Sequence, residues 1–337
     1  SNPAAPAVVW RRDDLAGAGA VAIQASSLFA LTRQRLTRLD LSGQVTGSLE
    51  FAEAVDDLAV RGTAAYVTGV GKLSVVDLSE GAPALVRSLS FPDGILTRRR
   101  RVFASDLTLF VQVYNGFSVY GLEQPLLPEL RQAHATQQLG WRDFQPISAD
   151  TALAVVGLAA TDDVPHDVSL YDLRPAGTNS LLTTTYPLPG QGLAVTTSGA
   201  RAFVLDESAG LVVLNFLAPD LAGTPPTVSL RPPRSDRPGA VQGESPVLLV
   251  ADARDDVGVH RVEWFVNGLP VGLDDSYPFE LAYRTPPSSG DGPAPRLVIQ
   301  ARATDTAVCG KRGTMRLMRP PLAEAGSART GSPPSDS

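Results

Sequence analysis

Four aspartates in the C-terminal third, Asp252, Asp255, Asp256 and Asp305, border short apolar runs. Carboxylates are hard oxygen ligands, and several gathered at one pole of a domain suit calcium. An ion there would stiffen the junction with a neighbouring module. The competing reading makes Asp255-Asp256-Val257-Gly258 a polar turn and Asp305 the cap of another. A second group, Asp162, Asp163, His166 and Asp167, falls in a long insertion between Val156 and Val168. Histidine with aspartate can ligate a transition metal. A hydrophilic loop is the alternative. His134 and His260 stand alone and read as surface residues.

Other chemistries are excluded by pattern. Gly69-Val70-Gly71-Lys72 fails as a phosphate loop, because Tyr66 stands where the first glycine belongs and Leu73 where Ser or Thr belongs. No Gly-x-Ser-x-Gly elbow is present. The single cysteine, Cys309, forbids an intrachain disulfide and a thiolate zinc site, so it reads as an incidental thiol. Arg98-Arg99-Arg100-Arg101 is either a patch for an acidic partner or a solvated loop or strand edge between two repeats. The net charge of −6 offers no basic field to a phosphate backbone, so nucleic acid is not an expected partner. No apolar run approaches the roughly 18 residues needed to span a bilayer. The start at Ser1-Asn2-Pro3 suggests a processed product or part of a longer multidomain chain.

The elements that must position these residues are strands. Thirty Gly and 28 Pro among 337 residues require many turns. Similar segments end at 40, 77, 121, 172 and 215: Leu36 to Asp40, Leu73-Ser74-Val75-Val76-Asp77-Leu78-Ser79, Phe117 to Gly121, Val168 to Asp172, and Leu211 to Asn215. Before each marker lies a second short run, such as Ala65-Tyr66-Val67 or Ala202-Phe203-Val204-Leu205. Inner strands of the Leu58-Ala59-Val60 kind and outer strands of the Leu85 to Leu89 kind complete the unit. Spacing of roughly 40 to 50 residues with four short strands per unit is that of a propeller blade. Asp40, Asp77 and Asp172 then cap the turns that follow. The Ala65 to Ser79 copy resembles the bacterial LVIVD-repeat propellers, and that resemblance covers about residues 15 to 220.

Pro225-Pro226 marks a boundary, after which a new alternating strand begins at Thr227-Val228-Ser229-Leu230. Val262, Trp264 and Val266 share one face, and Asn267-Gly268 signals a tight hairpin. Leu297, Ile299 and Ala301 give a second inward row. Together with Val247 to Ala253, Asp255-Asp256-Val257-Gly258-Val259 and Tyr277-Pro278-Phe279, this order resembles bacterial Ig-like domains. The resemblance implies a sandwich cored by Trp264, with a last strand near Thr314 to Met318.

The expected architecture is all-β: a β-propeller of about five four-stranded blades that need not form a complete ring, then a C-terminal Ig-like β-sandwich. Residues 1–14 form an N-terminal segment, whose Val8-Val9-Trp10 offers a closing strand to the last blade. Residues 15–222 form the propeller, 223–318 the sandwich, and 319–337 a disordered tail. The expected function is non-enzymatic: a secreted or cell-surface module for adhesion, binding or scaffolding, with a protein or glycan ligand. The alternative is an accessory region or propeller domain of an extracellular enzyme acting on polysaccharide. Asp, Glu, His or Arg converging on the propeller mouth would favour chemistry, and a sealed channel would favour binding. No cofactor is expected beyond calcium at the four aspartates.

Overall fold

The computed structural model describes residues 5–318, apart from 6, 25, 91–99, 106, 114–115, 137–139, 149, 157–166, 174–181, 217–220, 232–245, 287–296 and 307–311. Cys309, Arg98, Arg99 and the 319–337 tail lie outside the described residues.

Among the described residues there are seven antiparallel sheets. The first blade holds β1 (Ala20–Gln24), β2 (Ser27–Leu31), β3 (Arg35–Asp40) and β4 (Val45–Glu50), and the second β5 (Val55–Arg61), β6 (Ala64–Gly69), β7 (Lys72–Asp77) and β8 (Ala84–Ser90). The third holds β9 (Val102–Ala104), β10 (Thr108–Val113), β11 (Gly116–Gly121) and β12 (Glu129–Ala135). The fourth holds β13 (Asp143–Pro146), β14 (Thr151–Val156), β15 (Asp167–Asp172) and β16 (Leu182–Pro187). The fifth has three strands among the described residues: β17 (Gly192–Ser198), β18 (Arg201–Asp206) and β19 (Gly210–Asn215). All five markers end the third strand of their sheet. Asp40 caps its turn, its carboxylate accepting the backbone N–H groups of Ser42 and Gln44 at 2.9 Å. Asp77 does the same for Ser79 at 2.8 Å.

The blades stack in series because a single blade cannot bury both faces. Phe29, Leu31 and Leu36 of blade 1 meet Leu58, Val67 and Val76 of blade 2. Tyr66, Leu73 and Val75 of blade 2 meet Leu109, Val111 and Tyr120 of blade 3. An aromatic seam of Phe110, Phe117, Trp141, Phe144 and Tyr171 joins blades 3 and 4. Leu153, Val155 and Val168 of blade 4 meet Val195, Ala202 and Val204 of blade 5. At roughly 25 cal/mol per Å² of apolar surface, these seams are the main stabilising term of the domain. The result is a propeller-like arc of five sheets.

The segment expected to close the last blade lies elsewhere. Residues 7–12 form no strand. Trp10 donates its indole N–H to the Leu41 carbonyl at 3.0 Å and covers Gly43, both in blade 1. A large apolar ring gains more from that flat glycine turn than from an exposed edge.

The C-terminal domain pairs β20 (Thr227–Arg231), β21 (Pro246–Arg254) and β24 (Glu280–Arg284) in one sheet. The other runs β23 (Leu269–Asp274), β22 (Val259–Val266), β25 (Val298–Asp305), β26 (Arg312–Met318). Trp264 is fully buried among Val262, Leu249, Phe279 and Ala301. Asn267 (φ 51°) and Gly268 (φ 80°) make the expected left-handed turn between β22 and β23.

Candidate functional site

The inner edges of blades 2 to 4 place three charged groups together. Asp57 lies on β5 and Asp143 on β13, and Arg101 immediately precedes β9. Arg101 bonds Asp143 at 2.9 Å and approaches Asp57 at 3.6 Å. Each carboxylate also reaches the next blade. Asp57 accepts the Val102 N–H at 3.1 Å, and Asp143 accepts the Val195 N–H at 2.9 Å. Burial works against the Arg101 charge, but Asp143 and Asp57 outweigh it and hold the guanidinium charged. Both carboxylates are thus committed to a cation and a backbone donor, as buried charges require. Arg100 and Arg101 therefore face the interior of the arc rather than a solvated loop; Arg100 is buried and Arg101 half-buried.

The turns joining first and second strands form one face of the arc, and the Ig-like domain sits against it. Arg61, the last residue of β5, makes a two-pronged ion pair with Glu280, the first residue of β24. Tyr277 stacks on Phe103 of β9, with ring centroids 6.3 Å apart and planes at 15°. Burial raises the Tyr277 hydroxyl above its ordinary pKa, with Ser105 bonding it in opposition. In blade 5 the Gly199 N–H donates to the Asp275 carbonyl at 2.7 Å, and the Ser198 hydroxyl to the Asp275 carboxylate at 2.9 Å. Arg254 reaches Asp150 of blade 4 at 3.3 Å. Gly199 (φ +56°) faces His260, whose ring a Cβ there would meet at 3.0 Å. His260 is therefore an interface residue. His134 is half-buried against Phe117, 4.9 Å between rings, with its pKa lowered by burial. Blades 2, 3 and 5 thus grip the turn 275–280, and blade 4 holds Arg254 at the end of β21.

A cleft of about 140 Å³ remains between the domains. Ser148, Asp150 and Thr197 line it from the propeller side, with Asp255, Asp256 and Asp275 from the sandwich. The four sequence-selected aspartates divide here. Asp252 is held by Arg231 and Arg254, each at 3.3 Å. Asp255 accepts the N–H groups of Val257 and Gly258 at 3.1 and 2.9 Å, which is the polar-turn arrangement. Its pKa is raised, first by desolvation and further by Asp256 and Asp305, while those two N–H bonds oppose. Asp305 is buried at the end of β25. Among the described residues no three His, Cys, Asp or Glu side chains are arranged to hold a metal ion. Of the insertion group, Asp162, Asp163 and His166 lie outside the described residues. Asp167 begins β15, is buried, and accepts the Ser169 hydroxyl.

Residues 226–294 match the family described as Bacterial Ig domain. That match runs from β20 through β24. No curated protein matches the chain. Several solved structures are similar. One is the computationally designed Ika8 protein, at 11% identity over 89% of this chain and 83% of that one, TM-score 0.45. The WD40 domain of Neurospora crassa Pan2 matches at 16% identity over 59% of this chain and 61% of its own, TM-score 0.43. PorZ of Porphyromonas gingivalis, a surface component of the type-IX secretion system, matches at 11% over 89% and 51%, TM-score 0.45. These are coarse likenesses. No helix among the described residues is long and apolar enough to cross a membrane.

Proposed function

We propose that the chain is a non-catalytic binding or scaffolding module of a secreted or surface protein. In this reading the propeller-like arc is the interaction platform, and the Ig-like domain is a spacer fixed beneath it. One observation carries the reading. Asp57, Asp143 and Arg101 converge on the inner strands, yet each is engaged in bonding one blade to the next. A hydrolase needs a pair of carboxylates free to exchange protons with substrate. The Tyr277 turn also covers one of the two faces of the arc. The bacterial Ig match at 226–294 supports the surface setting. The Leu73 to Ser79 copy supports placing the blades among LVIVD-like repeats.

The test pairs binding with turnover. The intact chain is applied to immobilised glycans and surface proteins, and the same glycans are assayed for released sugar. Saturable binding without release is the expected outcome. Release that Asp57→Asn or Asp143→Asn abolishes would establish the polysaccharide-acting alternative instead.

A further inference from the structure

The outer face of the four-stranded sheet of the Ig-like domain gathers arginines. On β22 the core takes Val262, Trp264 and Val266, which leaves Arg261, Glu263 and Phe265 on the outside. The register pairs Arg261 with Thr304, Glu263 with Arg302 and Phe265 with Gln300 on β25. It then pairs Thr304 with Arg312 and Gln300 with Arg316 on β26. Directly opposed residues share a face, so four arginine positions and one carboxylate fall on this side. Glu263 is taken by Arg302, whose Nη2 and Nε lie 2.6 and 2.7 Å from it. The Arg302 guanidinium also lies over the Phe265 ring, 4.9 Å from its centroid. Arg261 comes no nearer to Glu263 than 4.0 Å, and among the described residues its buried Nε–H has no acceptor. The Thr304 hydroxyl, opposite Arg261, is likewise without a partner there, in a residue 6% exposed. Asp255, Asp256 and Asp275 line the cleft against the propeller instead and do not offset these cations.

We propose that this sheet face binds a polysaccharide bearing carboxylates, laid across β22, β25 and β26. One carboxylate seats at the Arg261 and Thr304 row, where a guanidinium N–H and a hydroxyl each lack an acceptor; a carboxylate supplies two oxygens. Further carboxylates of the same chain meet the Arg312 and Arg316 positions, about 13 Å apart along β26. Same-face rows recur about every 7 Å along a strand, so the arginine positions suit charges that repeat along a polymer. An open sheet takes an extended chain, whereas a small ligand needs a concave pocket. An acidic protein would need a desolvated apolar centre, and the Phe265 ring is already covered by Arg302. The chain carries a net charge of −6, so a polyanion is attracted only where cations are concentrated, as they are here. This site is separate from the propeller platform and stands independently of that reading.

Titration calorimetry of the full chain with sodium alginate, a polyuronate, tests this beside neutral dextran. Saturable binding of alginate alone is expected, weakening about tenfold as salt rises from about 50 to 300 mM. Arg261→Gln with Arg316→Gln should weaken it by at least about tenfold. Arg33→Gln with Arg87→Gln, which removes the same charge from the propeller, should leave it unchanged. Thr304→Val keeps the shape and deletes the hydroxyl; it should weaken binding about threefold without lowering the melting temperature, and it serves if the double variant does not fold. A wild-type chain that does not bind alginate overturns the proposal, as does undiminished binding by the folded Arg261→Gln, Arg316→Gln variant. Binding of some other glycan or protein, with alginate not bound, overturns this inference and leaves the propeller platform standing.

Discussion

At the scale of single residues, aspartate does the structural work of this chain in two ways. Asp40, Asp77 and Asp206 close turns by accepting backbone N–H groups, which leaves fewer orphaned donors where the chain reverses. Asp57 and Asp143 do something the local sequence does not announce, bonding across blades. Removing Asp143 leaves the Val195 N–H unpaired and Arg101 short of its nearest anion. Asp143→Ala should therefore cost about 2–3 kcal/mol in denaturant unfolding, and Asp143→Asn less, since it keeps an acceptor. The pH dependence has two opposing parts. Asp40 sits below its ordinary value, chiefly through the Ser42 hydroxyl, so its stabilisation is present at neutral pH and lost as pH falls through the depressed value. Asp255 sits above, chiefly through desolvation, so it favours the folded state below the unfolded carboxylate pKa of about 4. That contribution is lost as pH rises through its raised value. Asp255→Asn should stabilise the fold at pH 7 by no more than about 1 kcal/mol, because solvent reaches the site, seen as a higher melting temperature, and the gain should vanish near pH 4. Calcium is checked in the same melts. With Asp252 held by two arginines, millimolar calcium is expected to leave the transition unchanged. A calcium-dependent rise that Asp255→Asn removes would place the ion at this pole.

At the scale of elements, the repeat predicts position but not environment. Leu73 and Leu211 are equivalent in the repeat, yet one is sealed between blades and the other lies on a free face. Leu73→Ala should cost about 2–5 kcal/mol, while Leu211→Ala in dilute solution should change stability by less than about 0.5 kcal/mol. Urea unfolding of the two variants measures the contrast. The five marker strands, the Asn267-Gly268 hairpin and the burial of Val262, Trp264 and Val266 were legible because alternation and turn chemistry are local signals. That only three strands of the fifth blade stand among the described residues was not, because a partner strand that is absent there leaves no mark on the strands that remain. Arg100 and Arg101 misled for a related reason. A run of arginines reads as solvated unless its distant carboxylate partners are known, and Asp57 and Asp143 lie more than 40 residues away on either side.

At the scale of the whole molecule, the two domains act as one unit. Arg61 and Glu280 are 219 residues apart, and no local pattern foretells their pairing. The same holds for Tyr277 on Phe103 and for Asp275 on Gly199, so the site between domains was beyond reach of the sequence. With this face occupied by the Ig-like domain, the opposite face of the arc remains for partners. Calorimetric unfolding of the intact chain tests this coupling most directly. The account predicts one transition for the wild type and two for Tyr277→Ala combined with Arg61→Met, the Ig-like domain then melting on its own. Two independent transitions already present in the wild type, unmoved by those substitutions, would contradict it.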